Sequence, residues 1–220
     1  MIIQKERRRK RGKGAQNVME EKQDRRVKRS KSLMREALIS LMQEKPFSEI
    51  TAKDITVRAD LNRATFYLHY NNIFGLLEEL EDETVEGFAR MLEEAEIRPG
   101  AAWEYPLIGH ICDYIVENPD VCRCLLLNPH SDQLAAKLTD IMKQKGRQVR
   151  QEMGLETENP KADYIHQFIA CGAMGMVKQW LLEGMPISKE EMVHLAEEMI
   201  RPIFRILLPE QQPQKAEQKK

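Results

Sequence analysis

Seven consecutive residues, Arg63-Ala64-Thr65-Phe66-Tyr67-Leu68-His69, bring together side chains suited to one kind of chemistry. Arg, Tyr and His reach phosphate oxygens; Thr and Leu suit base edges and thymine methyls. If the stretch is helical, Phe66 and Tyr70 share an inward face four residues apart. Arg63, Thr65, Tyr67, Leu68 and His69 are then turned outward. Two other groupings are rich in catalytic residue types: His110 with Cys112 and Asp113, and His166 with Cys171. On a helix, residues two apart diverge and residues five apart meet poorly. Neither grouping sets a nucleophile beside a base and an orienting group. No P-loop, G-x-S-x-G or dinucleotide fingerprint occurs. The chain is expected to be no enzyme, to carry no cofactor and to bind no metal.

The outward face needs a scaffold, and the neighbouring sequence supplies one. Thr51 and Asp54 have capping-box spacing and open a short helix whose buried face repeats at Ile55 and Ala59. Asp60-Leu61-Asn62 breaks that pattern, and Asn62 caps a second helix beginning at Arg63. Upstream, Met34, Ala37, Leu38 and Leu41 mark one face of a helix from about Arg29 to Glu44. Lys45-Pro46 ends it, and Phe47 and Ile50 anchor the loop. Downstream, Asn71 or Asn72 caps a long helix from about Ile73 to Glu96. Its apolar positions include Leu76, Leu77, Leu80, Val85, Phe88 and Leu92, and Pro99-Gly100 closes it.

The rest reads as five more helices. The first covers about Trp103 to Asn118, and Asn118-Pro119 opens a short one to about Leu127. Ser131 caps a third, to about Met153, with Leu134, Leu138, Ile141 and Met142 inward. Asn159-Pro160 begins a fourth, which ends at Glu183 before Gly184 and Pro186. Ser188 and Glu191 form a capping box for the last, with Met192, Leu195, Ala196 and Met199 in register. Pro202 is placed to kink it. No strand pattern or repeat occurs, so the fold class is all-α.

The formal charge of −1 on 220 residues conceals an asymmetry. Residues 1–31 hold 13 Lys/Arg against four acids, and the other 189 carry a net −10. A basic arm on an acidic body suits a polyanion partner at one end. Residues 1–28 are almost free of apolar side chains and are expected to be disordered. The run Arg7 to Gly14 could enter a minor groove, raise general DNA affinity, or be a solvated tail. Cys112, Cys122, Cys124 and Cys171 form no C-x-x-C pair. They read as buried thiols in a reducing cytoplasm, with a redox sensor at Cys122 and Cys124 as the alternative. No apolar run approaches membrane-spanning length, no secretory signal is apparent, and the expected location is cytoplasmic.

The stretch ITVRADLNRATFYLHYNNIFGLL resembles the DNA-binding segment of TetR-family transcriptional regulators. The resemblance rests on Thr65-Phe66-Tyr67-Leu68-His69-Tyr70 followed by Leu76-Leu77, and extends back to about Lys31, roughly a fifth of the chain. Asn71-Asn72 stands where the family usually has a phosphate-contacting lysine. The resemblance implies an N-terminal three-helix helix-turn-helix domain (29–72), a connecting helix (73–98) and a C-terminal helical ligand-binding and dimerisation bundle (99–209), before a polar tail (210–220). It implies DNA contacts from Thr51, Lys53, Asn62, Arg63, Ala64, Thr65, Tyr67, Leu68 and His69. The glycine-containing stretch before Trp180-Leu181-Leu182 is similar to the family's dimerising helices, so Ala170, Gly172, Ala173, Gly175, Val177, Met199 and Phe204 are expected at a homodimer interface. Two recognition helices on a two-fold axis read a palindromic operator, with half-sites about 34–36 Å apart or somewhat more. A small-molecule effector is expected among Trp103, Tyr105, Ile111, Tyr114, Leu138, Phe168, Met174 and Trp180. Repression is the commoner behaviour in the family; activation under a protein partner is the alternative.

Overall fold

The computed structural model describes residues 24–94, 106–129, 132–152 and 160–204, and these are helical throughout apart from turns. Helix α1 covers residues 24–44. A 3-10 turn at Phe47–Glu49 precedes α2 (Ala52–Arg58), α3 (Arg63–His69) and α4 (Ile73–Glu94). There follow α5 (Pro106–Glu117), α6 (Pro119–Leu126), α7 (Asp132–Glu152), α8 (Pro160–Leu182) and α9 (Lys189–Phe204). The chain divides into two compact units, residues 1–82 and 83–220, with the division inside α4.

The first unit closes on a small core. Met34, Leu38, Ile55, Phe66 and Leu76 are shut off from water almost completely, each contributing about 1.5–3 kcal/mol by burial. Polar contacts at the rim fix how the helices meet. Lys31 on α1 holds both carboxylate oxygens of Glu79 on α4 at 2.9 Å. Burial opposes the charge on Glu79, but the Lys31 ammonium outweighs it and keeps the carboxyl below its ordinary range. Arg58 at the end of α2 forks onto Glu44 of α1 at 2.7 and 2.9 Å and also meets Ser40. Helix α1 is already formed at residue 24, so residues 24–28 belong to it and not to a disordered arm. Lys and Arg are good helix formers, and Asp24 pairs with Lys28 one turn on at 3.2 Å. Residues 1–23 lie outside the described part.

The second unit is a helical body in which α7 packs on α8, α5 on α9, and α6 against α5, α7 and α8. Asn118-Pro119 separates α5 from α6 with Pro at the first helical position, where its missing N–H costs nothing. Gly184 (φ 80°) and Met185 (φ 58°) end α8 in left-handed geometry. The Met185 N–H closes on the Trp180 carbonyl at 2.7 Å, as in a Schellman cap. The Ser188–Glu191 capping box opens α9 as expected. Lys189 then reaches Asp113 of α5 at 2.6 Å.

Candidate nucleic-acid interface and interior cavity

Helix α2 starts where its caps dictate. The Asp54 N–H donates to the Thr51 hydroxyl at 3.2 Å, and the Thr51 N–H donates back to Asp54 Oδ2 at 2.9 Å. Lys45 Nζ meets the same oxygen at 2.9 Å. These bonds, Lys45 first, lower the Asp54 pKa to about 2. The turn after α2 places Asp60 at φ 52°, and the Leu61 N–H bonds back to the Thr56 carbonyl at 2.9 Å. A left-handed residue just past a helix end is the usual way to stop it. Asn62 then takes the Ala64 N–H at 2.8 Å and starts α3.

Helix α3 is pinned by its apolar side. Phe66 is fully buried and Tyr70 nearly so, with ring centroids 5.6 Å apart. Lys31 lies 5.5 Å over the Tyr70 ring, and burial, with Glu79 beside it, pushes the Tyr70 phenol above its ordinary range. The opposite side faces solvent. Arg63, Ala64, Tyr67 and Leu68 are exposed, Leu68 by 77%, whereas Thr65 and His69 are half-buried. The Arg63 guanidinium stacks 5.4 Å from the Tyr67 ring and donates to its hydroxyl at 3.2 Å. A cation and a phenol are thereby held together on the exposed surface. Thr51, Lys53 and Asn62 are exposed as well, and Thr51 and Asn62 serve as caps besides. Asn72 accepts the Gly75 N–H at 3.1 Å, so it caps α4 in the place where the family usually has lysine nearby.

A seven-residue helix with two anchored aromatics and an outward Arg, Thr, Tyr, Leu and His is a docking element for a DNA groove. Comparison with known proteins agrees. Residues 35–80 match the family described as bacterial regulatory proteins, tetR family, and residues 104–202 match the family described as transcriptional regulator C-terminal region. The chain belongs to the TetR family of transcriptional regulators. It is 31% identical over 62 residues to the uncharacterized HTH-type transcriptional regulator YxbF of Bacillus subtilis (strain 168). That stretch is 28% of this chain and 16% of YxbF. A TetR regulator from Streptococcus agalactiae 2603V superposes with a TM-score of 0.61 at 24% identity, covering 81% of this chain and 97% of that one. A TetR-family regulator from Syntrophomonas wolfei gives 0.68 at 15% identity, over 82% and 97%. At these identities the likeness is one of fold. Family membership makes the chain a DNA-binding regulator and not an enzyme.

Within this TetR-family chain the second unit holds an apolar cavity of about 30 Å³, walled by Thr84 and Phe88 of α4, by α5 and α6, and by Leu138, Met142, Ala173, Met174 and Val177 of α7 and α8. Of the residues expected around an effector, Ile111, Tyr114, Leu138 and Met174 line it. Trp103 and Tyr105 lie outside the described residues. Two expectations are corrected. Phe168 is 66% exposed and faces away from the cavity. Trp180 is buried but packs at the end of α8, where its indole N–H donates to the Ile187 carbonyl at 3.0 Å. Sequence reasoning leaves out Phe88 and Cys122 as walls. Phe88 packs edge-on to Tyr114 with centroids 6.2 Å apart. Helical periodicity is the signal that could have found them, though it marks core and cavity alike.

The residues expected at a dimer interface also divide. Ala170, Ala173 and Val177 are buried within the subunit, the last two as cavity walls, so they do not lie on an outer face. Gly172 and Gly175 are exposed with open space around them, and Met199 is 54% exposed. The Phe204 side chain lies outside the described part. The exposed face of α8 carries Tyr164, Phe168, Gly172, Gly175 and Leu182, a stripe five turns long, and α9 adds Leu195 and Met199. Cys112, Cys122 and Cys124 are buried. Burial drives their thiols up, to about 11, 12 and 11. A thiol so far from ionisation is a poor redox sensor, so the Cys122–Cys124 alternative loses its chemical basis. Among the described residues no cluster could hold a metal ion, and no helix is long and apolar enough to cross a membrane.

Proposed function

We propose that the protein is a homodimeric repressor that reads a palindromic operator through paired α3 helices and leaves it when a small molecule enters the apolar cavity. The stripe on α8 and α9 carries this reading. Large exposed apolar side chains in one row are what a soluble monomer avoids, and the two glycines let a second helix approach closely. A two-fold interface pairs the same stripe with itself, and it sets two recognition helices for successive major grooves. The DNA contacts come from Arg63, Tyr67 and Leu68 at the centre, with Lys53, Thr65 and His69 beside them and Thr51, Asn62 and Ala64 at the two helix starts. Residues 1–23 add phosphate contacts. Such a protein works in the cytoplasm.

Ligand control is supported by where the cavity lies. Thr84 and Phe88 of α4 form one wall, so a molecule that parts the walls displaces the helix that continues from the DNA-binding unit. The two states then differ in operator affinity. One observation favours activation under a protein partner instead: a cavity of about 30 Å³ holds no more than a water as it stands.

The test is sedimentation of the free protein and of its complex with a selected operator duplex. Two protomers in the free state and two per site in the complex are expected. A monomer in both states overturns the dimeric reading.

A further inference from the structure

The cavity's walls are apolar, but a charge stands at its edge. The inward stripe of α7 runs Leu134, Leu138, Met142 and then Lys145. Lys145 is only 8% exposed, and among the described residues no acid pairs with it. A lysine normally snorkels its ammonium into water, and holding one inside without a counter-charge is costly. Side chains on a helix lean toward its N-terminus, so Lys145 reaches back over Met142, a wall of the cavity. Helix α8 runs antiparallel to α7. Lys143 bonds Gln167 at 2.9 Å and Arg147 bonds Asp163 at 3.1 Å, which sets residue 145 opposite the turn around 165. That turn carries the buried His166, whose Nδ1 lies 2.7 Å from the Ala162 carbonyl oxygen. The polar end of the α7–α8 seam is thus cationic and hydrogen-bonding, and the remainder is greasy. The walls can also give way, since Met142 and Met174 are unbranched and adaptable.

We propose that the effector is an amphipathic organic anion, with its apolar chain between Met142 and Met174 and its carboxylate paired with Lys145. The proposal rests on the ligand-released reading above and narrows the ligand to one charge class. Entry of the anion neutralises the buried ammonium as the chain fills and widens the cavity, so head and tail both favour the open body.

Three eight-carbon probes separate head from tail: octanoate below its micellar range, 1-octanol and octylammonium. Binding is read as the rise in melting temperature of the full chain, titrated to a Kd. Octanoate is expected to bind about tenfold more tightly than octanol, as a charge-assisted pair requires, and octylammonium not at all. Lys145→Met should equalise octanoate and octanol, whereas Lys145→Arg should keep the preference. If Lys145→Met does not fold, the three probes on the natural chain decide alone. Equal affinity for octanoate and octanol, or tighter binding of octylammonium, overturns the anion proposal and leaves the cavity reading in place. Binding of none of the three overturns both. A clear octanoate preference without loss of operator binding keeps the anion site and overturns ligand release.

Discussion

Replacing Tyr67 by alanine should separate DNA binding from folding. Tyr67 is 47% exposed, and its partner within the subunit is Arg63, by one hydrogen bond at 3.2 Å and one cation–π contact at 5.4 Å. At an exposed site the stacking is worth about 0.5–1 kcal/mol, so the folded state should lose about 1 kcal/mol at most. For a chain of this size that is a melting shift of about 2–4 °C. On DNA the loss is larger. A hydroxyl bonded to a charged phosphate contributes about 1.5 kcal/mol, and a two-fold complex loses it twice. The expected sum of about 3 kcal/mol weakens binding more than a hundredfold. Phe66→Ala is the contrasting variant: Phe66 is fully buried, and its truncation should cost about 3–5 kcal/mol of stability. Fluorescence anisotropy with a labelled operator, beside thermal melts of both variants, gives the two numbers. Unchanged affinity for Tyr67→Ala, or a melting loss equal to that of Phe66→Ala, refutes the placement of α3.

Phe168→Glu puts a charge on the exposed stripe of α8 and should shift the sedimenting species from dimer to monomer without lowering helicity; a persistent dimer contradicts the interface. Asp60→Gly relieves a left-handed residue at φ 52° and should raise stability by up to about 1 kcal/mol, read as a melting increase of a few degrees. Asp54 has a folded pKa of about 2, below its unfolded value of about 3.9. Its stabilisation is therefore complete above about pH 4 and lost as pH falls through 2. Melts of the natural chain and of Asp54→Asn should converge across that window, whereas parallel curves would deny the linkage. Deleting residues 1–23, which hold eight Lys/Arg, should flatten the salt dependence of DNA binding, by about 0.9 in slope for every phosphate the arm neutralises.

The DNA-binding unit is legible in the sequence because its signals are local. Thr51 with Asp54, Asn62 before Arg63, and Phe66 with Tyr70 each act within four residues, and each falls where spacing puts it. Helix α8 is not legible in the same way. From Tyr164 to Gly175 it is apolar or small on nearly every side, so periodicity cannot say which face meets the subunit's own helices. A reading of the sequence therefore turns Phe168 inward and Ala173 and Val177 outward, the reverse of what packing chooses. The start of α1 is hidden by charge: residues 24–28 carry four charges and no large apolar anchor but Val27, so by composition they look like an arm. Lys145 gives no sign either, since a lysine in a polar stretch of α7 looks like any solvated one.

The central claim is that an anchored α3, doubled by the α8–α9 interface, reads a specific site. Selection of fragments bound by the purified protein from sheared genomic DNA tests it most directly. One or a few shared motifs with two-fold symmetry and half-sites about one helical turn or more apart are expected. Fragments that share no motif, held with a steep salt dependence, would mean attraction by charge alone and contradict it.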